Sequence, residues 1–269
     1  MTRPSAPGPG HASAVRAAAG GRGDWDATTY DRVSDVQLRW ARQQLERVAL
    51  AGDEVVVDAG CGSGRVTALL ADRVPRGRVY GVDVSPSMVA HARRALGDRA
   101  TISCQDLVEL SLPEPVDLVF SNATFHWIDD HAALFAALHR ALGPRGRLVA
   151  QCGGACNIDH FRKLADEVAG EGRFRRYFAG WRGPWNYASD TDTAVRLQQA
   201  GFTDVSCWLE PKDITPPDPR AFVTTVCLVR HLDLLPQPLR RPFAERVLAR
   251  CGQPLVLDYV RLNMTARAA

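Results

Sequence analysis

Lysine is almost missing from this 269-residue chain: Lys163 and Lys212 are the only two, and arginine supplies the rest of the 33 basic residues. The arginines are interleaved with 30 acidic residues, for a formal charge of +3. No concentrated basic stripe exists to track a phosphate backbone, so nucleic acid is not an expected partner, and the imbalance reads as codon usage. The CxxC pair is absent too. Cys61, Cys104, Cys152, Cys156, Cys207, Cys227 and Cys251 are odd in number, irregularly spaced and lack a matching histidine cluster. That excludes a zinc-ribbon pattern and a disulfide scaffold, and predicts reduced thiols in a cytoplasmic protein without a metal site. Nowhere is there an apolar run of the roughly 18 residues a membrane span needs, nor one of signal-peptide length near the start. Residues 1–23, rich in Ala, Gly and Pro, are expected to be a disordered tail ahead of a single domain over 24–269.

What is present is alternation. Residues 35–50 carry apolar side chains at helical spacing (Val36, Trp40, Leu45, Val48) and predict a leading helix that ends near Gly52. The run Glu54-Val55-Val56-Val57-Asp58 reads as a strand buried on both faces. Helices are then expected over 65–74, 87–96 and 131–142, and strands over 78–83, 101–104, 116–121 and 147–151. Alternation at this spacing implies right-handed crossovers and a doubly wound, Rossmann-like α/β sheet, mostly parallel, with helices on both faces. The last third breaks the rhythm. Strands over 202–209 and 255–264 bring the total to seven, and insertions over about 157–187 and 211–250 are expected to form a helical lid above the strand ends.

The segment Asp58-Ala59-Gly60-Cys61-Gly62-Ser63-Gly64 lies between a buried strand and a helix. Glycines at Gly60, Gly62 and Gly64 let the backbone turn tightly and approach a ligand, while the next helix offers its unpaired N–H groups. A dinucleotide fingerprint would need a further glycine where Arg65 and Thr67 stand, which disfavours a pyrophosphate cradle. Asp83 ends the following strand, where a carboxylate can accept hydrogen bonds from ribose hydroxyls; a helix N-cap is the other reading, for which Ser85 or Ser87 is better placed. Asp106, after a short strand, sits at the sheet rim or merely caps a turn.

Together these motifs resemble the class I S-adenosylmethionine-dependent methyltransferases over roughly residues 25–264. The resemblance implies S-adenosylmethionine as cofactor, with Asp58 in the glycine turn, Asp83 on the ribose, Asp106 on the adenine amino group, a backbone contact from Leu107, and Gly60 and Asn122 near the methionine portion. The stretch Ser121–Asn122–Ala123–Thr124–Phe125–His126–Trp127 is similar to a narrower group: trans-aconitate, malonyl-carrier-protein and juvenile hormone acid methyltransferases. Tyr30 followed seven residues later by Gln37, and the ending Leu257–Asp258–Tyr259–Val260–Arg261–Leu262, also resemble that group. It implies methylation of a carboxylate on a small-molecule acceptor, with Tyr30 beside the cofactor.

Trp127 and Gln37 suit that chemistry because indole and amide N–H groups donate to a carboxylate that is already ionised at neutral pH, so no base is required. Trp127 could equally be a core aromatic beneath the lid, and Gln37 a solvated helix position. His126 stays open between general base, oriented donor and structural histidine; as a base it would serve an O-, N- or C-methyltransferase of a natural-product intermediate. Arg162, Lys163, Arg173, Arg175, Arg176 and Arg182 make the first insertion basic, as a polyanionic acid would favour, although charge on a lid is more often a solvated face. Trp181, Trp185 and Tyr187 point instead to an apolar or ring-shaped acceptor, or equally pin the lid to the core.

Overall fold

The β-branched run after the first turn forms β1 (Val55–Ala59), buried along nearly its whole length. The structure, a computed structural model, describes Asp31 and residues 34–269, so the expected tail and Tyr30 lie outside the described residues. α1 (Asp35–Glu46) precedes β1, and α2 (Arg65–Arg73), β2 (Arg78–Asp83), α3 (Pro86–Leu96), β3 (Thr101–Cys104), β4 (Val116–Asn122), α4 (His131–Ala141) and β5 (Leu142–Gly153) follow. The chain then passes through α5 (Asp159–Ala169), α6 (Asp190–Gln199) and β6 (Phe202–Pro211). A second helical stretch contains α7 (Pro219–Phe222), a π-helical turn at Val223–Cys227, α8 (Val229–Asp233) and α9 (Gln237–Leu248), before β7 (Val260–Ala268) closes the sheet.

The seven strands lie in the order β3-β2-β1-β4-β5-β7-β6. β1 to β5 run parallel, and β7 is antiparallel to both its neighbours. This is the expected seven-stranded, mostly parallel Rossmann-like sheet. Its strand order reverses between β1 and β4, which opens a crevice beyond their carboxyl ends.

Three of the four apolar clusters among the described residues bear on the site. On one face Leu134, Phe135 and Leu138 of α4 and Leu197 of α6 pack on the sheet; on the other, Ala41 and Leu45 of α1 meet Leu70, Leu118 and Phe120. The third belongs to the lid, where Phe161, Phe222 and Phe243 enclose Trp40 from α1 and Tyr259. Burying each such ring contributes roughly 2–3 kcal/mol, so the expected lid is anchored by a core of its own. Among the described residues no helix is long and apolar enough to cross a membrane.

Several boundaries differ from expectation, β5 among them, which runs Leu142–Gly153 where a strand over 147–151 was expected. α1 stops at Glu46, short of Gly52, because Arg73 of α2 donates to the Leu45 and Val48 carbonyls at 3.4 and 3.1 Å and satisfies the helix end. The last strand starts at Val260 instead of residue 255, since Leu257 is drawn into the lid core and makes only an isolated bridge to Ile214.

Candidate active site

The glycine turn leaves β1 at the crevice and is bonded to β2: the N–H groups of Gly60 and Cys61 both donate to the Val82 carbonyl, at 2.8 and 3.0 Å. Gly60 has φ of +86°, and a Cβ there would stand 2.1 Å from Thr124 Oγ1, so only glycine fits. Gly62 is left-handed as well, at φ +53°, but faces open space. Its N–H donates to Asp83 Oδ2 at 2.9 Å, and the other Asp83 oxygen accepts from Ser85 N–H at 2.9 Å. Ser85 itself caps α3, accepting from Met88 N–H at 3.2 Å. Parallel pairing sets Asp83 beside Cys104, and Gln105 N–H donates to the Asp83 carbonyl at 3.0 Å, which brings Asp83 and the Asp106 segment to the same rim. Asp106 caps the turn Leu107–Glu109 through Val108 N–H at 3.2 Å, and the Leu107 side chain is buried in the core.

Asp58 lies beneath this turn. Its buried carboxylate accepts from Thr67 Oγ1 at 2.7 Å, and it lines neither of the cavities at the crevice. Burial pushes its pKa up to about 7, the Thr67 hydrogen bond opposes the shift, and nearby Asp83 adds to it. Because the folded form holds this proton more tightly than the unfolded chain, the stability it contributes is present below the unfolded value and lost as pH rises through about 7. Asp58→Asn should remove that loss. Compared by urea unfolding at pH 5 and pH 8, the variant is expected to gain on the order of 3 kcal/mol relative to wild type at the higher pH; an identical difference at both values would show that Asp58 is ionised throughout.

Two cavities meet at Gln37. The first, of about 390 Å³, is bounded by Gly60, Gly62, Ser63, Arg65 and Asn122. Arg65 donates to the Asp31 carbonyl at 2.8 Å and pairs with Asp35 at 2.7 Å, and Ser63 bonds the Asp31 carboxylate, so the chain leading into α1 is clipped over the turn. Asn122, at the end of β4, donates through Nδ2 to the Gln37 carbonyl at 3.0 Å; its buried Oδ1 has no partner among the described residues. A side-chain-free cradle, a carboxylate at its edge and an orphaned buried acceptor fit an amino-acid nucleoside carrying hydroxyl and ammonium donors.

The second cavity, about 430 Å³, lies under the lid and is walled by Trp127, Trp185, Tyr187 and Tyr259, with His126 and Arg261 among its polar lining. Trp185 and Tyr187 stack at 5.5 Å with an interplanar angle of 9°. Gln37 is buried, and its Oε1 has no partner among the described residues. His126 Nδ1 accepts from Gly153 N–H at 3.3 Å, which leaves the imidazole proton on Nε2. Burial, then the charges of Arg261 and His131, hold its pKa well below the ordinary histidine range, so the ring is neutral. Arg261 is 1% exposed, stacks 4.6 Å over the Trp40 ring and donates through Nε to Gln151 Oε1 at 3.4 Å.

A family model described as a methyltransferase domain matches residues 57–150. The chain is 30% identical over 241 residues to a trans-aconitate 2-methyltransferase of Acidovorax, covering 86% of this chain and 90% of that protein. The chain belongs to the class I S-adenosylmethionine-dependent methyltransferases. It is related to the trans-aconitate group of small-molecule methyltransferases, and the Methylobacterium nodulans protein of the same name is 37% identical over 187 residues, covering 69% of this chain and 67% of that one. The fold is also that of Haemonchus contortus phosphoethanolamine N-methyltransferase 2 solved with S-adenosylmethionine, with a TM-score of 0.58 at 19% identity, covering 90% of this chain and 56% of that one. As a methyltransferase of this class it takes S-adenosylmethionine as cofactor and acts on a small-molecule acceptor.

Of the residues that sequence singled out in this methyltransferase, the structure gathers Gly60, Gly62 and Asn122 on the first cavity, His126 and Trp127 on the second, and Gln37 on both. Asp83 touches the first through Gly62. Gly64 packs instead against Ala92 and Leu96 of α3, where a Cβ would stand 2.9 Å from Leu96. The basic residues of the first insertion do not line the second cavity: Arg162 and Lys163 pair with Asp159 at 3.4 and 3.0 Å, while Arg173 and Arg176 lie over the rings of Phe174 and Tyr177. The cavity's cation is Arg261, to which sequence reading assigned no role. Strand alternation gave no signal for it: Arg261 shares a face with Asn263, Thr265 and Arg267, opposite the core-facing Leu262, Met264 and Ala266, and it is buried because Trp40 of α1 lies against it.

Proposed function

We propose that this methyltransferase transfers the methyl group of S-adenosylmethionine to a carboxylate oxygen of a small acid and releases a methyl ester. The observation that supports this most is the state of His126: neutral, with Nδ1 occupied by Gly153 N–H and a proton on Nε2, it can donate to an anion but is not set to remove a proton. Arg261 adds a buried positive charge on the same cavity, and no carboxylate lines that cavity among the described residues. The relatives' shared name, trans-aconitate 2-methyltransferase, is that of an enzyme with an acid as its acceptor.

In this reading Asp83 accepts from the ribose hydroxyls, Asp106 and the Leu107 backbone hold the adenine, and Gly60 with Asn122 receives the methionine end. The bound cofactor supplies a methyl group on a sulfonium, whose C–S electron pair stays with sulfur as the new C–O bond forms. Everything else is positioning. Arg261 and His126 Nε2–H orient the anion, Gln37 turns its amide NH₂ towards it where the two cavities meet, and Trp127 excludes water behind it. No proton moves, because the attacking oxygen enters as a carboxylate.

The reading has a direct test in the pH profile. With a carboxylic acid as acceptor, kcat/KM is expected to be flat between roughly pH 6 and 8, since neither acceptor nor His126 titrates there. A rate that climbs about tenfold per pH unit towards neutrality and disappears in His126→Ala would establish base catalysis on a phenol, enol or amine instead.

A further inference from the structure

We propose that Asn186 is a positioning residue for methyl transfer, a clip that sets the lid's aromatic wall and the His126–Trp127 turn in place as one unit. The inference rests on the second cavity being the acceptor site, and it holds whichever atom of the acceptor takes the methyl group. Trp185 and Tyr187 both line that cavity and stack on each other at 5.5 Å. Asn186, between them, does not line it and reaches instead to the segment that follows β4. Its backbone N–H donates to the His126 carbonyl at 2.9 Å, and its Nδ2 donates to the Ile128 and Asp129 carbonyls at 3.3 and 2.9 Å. Both side-chain partners are carbonyl oxygens, which fixes the amide with its nitrogen towards them.

Both pieces joined by this clip are weak by themselves. His126 and Trp127 belong to a single 3₁₀ turn, Phe125–Trp127, a conformation whose poor hydrogen-bond geometry makes short runs lean on their surroundings. Upstream the turn is tied to β5, where Ala123 N–H donates to the Gln151 carbonyl at 2.7 Å. Downstream Asn186 holds residues 128 and 129, just before Asp130 caps α4 through Ala133 N–H. Residues 185–187 lie in neither helix nor strand, so ties of this kind decide where their rings stand. Across the clip Trp185 comes within 6.1 Å of Trp127, and Tyr187 within 5.7 Å of His126, measured between ring centres. Asparagine is suited to the place: one nitrogen carries two protons for two carbonyls, whereas an aspartate of the same shape has none to give and repels both oxygens.

Methyl transfer by the full-length protein should be measured with trans-aconitate and p-coumarate, the product being identified as ester or ether by tandem mass spectrometry. For the better acceptor, Asn186→Ala is expected to lower kcat/KM by about tenfold or more and Asn186→Asp by about a hundredfold or more, with the KM for S-adenosylmethionine within about threefold of wild type. That order separates the clip from simple packing, because a space-filling role would make the isosteric aspartate the milder change. Hydrogen exchange of the S-adenosylhomocysteine-bound protein gives a second readout. In Asn186→Asp, segments 125–130 and 183–188 should lose protection together while Val55–Ala59 keeps its own. The proposal is overturned by a smaller loss in the alanine variant, by an aspartate variant at least as active as the alanine one, by a larger rise in the cofactor KM, or by unchanged exchange in the two segments. Ether products without any ester overturn the carboxyl reading and leave this comparison intact. If wild type methylates neither compound, exchange decides: loss confined to the two segments supports the proposal, and any other pattern overturns it.

Discussion

Arg261→Met is expected to raise the KM for the acceptor by about 30- to 1,000-fold, with cofactor affinity and fold retained. Methionine keeps an unbranched side chain over Trp40 while removing the only formal charge on the acceptor cavity among its described lining residues. A charge-assisted contact in a water-poor site is worth about 2–4 kcal/mol when one partner is lost, and each 1.4 kcal/mol is tenfold. Arg261→Lys restores charge without the planar fork and should recover only part of the loss. Steady-state kinetics with an acid acceptor, calorimetry with S-adenosylhomocysteine and a thermal melt together separate the outcomes. Unchanged KM in a folded Arg261→Met protein would mean that the guanidinium is a structural tie between β7 and Trp40 and that another group holds the acceptor.

Asp83→Ala should weaken S-adenosylhomocysteine binding by about a hundredfold or more. Three contacts are at stake: the carboxylate accepts from Gly62 and Ser85 N–H, and in the proposed mode also from the ribose. Removing it leaves two backbone donors unmatched and loosens the glycine turn, at about 1–3 kcal/mol for each buried group left unsatisfied. Asp83→Asn separates the roles, since its amide oxygen can still hold one backbone N–H while accepting less well from a diol. If Asp83→Ala binds S-adenosylhomocysteine as wild type does, the ribose is held elsewhere and Asp83 serves only to shape the turn.

Much of the cofactor side was legible before any coordinates. The Val55–Val57 run, the glycines after it and an acid at the end of the next strand are local features: each depends on backbone conformation or burial within a few residues, which composition encodes directly. Even so, the neighbouring Asp58 shares the motif but turns under the crevice to meet Thr67. The acceptor side was only partly legible. His126 and Trp127 were picked out, yet the protonation state of His126 depends on Gly153 N–H and on the charge of Arg261, neither of which its local sequence contains.

The sequence by itself determined the alternation of strands and helices, the tight turn that only glycine can make and the presence of a helical lid, because periodicity and backbone restriction act over short distances. Tertiary structure decided which charge meets which ring. Antiparallel pairing of β7 with β5 sets Arg261 opposite Gly153, the residue whose N–H holds His126, and the lid then folds Trp185 and Tyr187 over both. That meeting follows from strand register and the path of an insertion, which are settled by the packing of the whole molecule and leave no mark on any single stretch of chain.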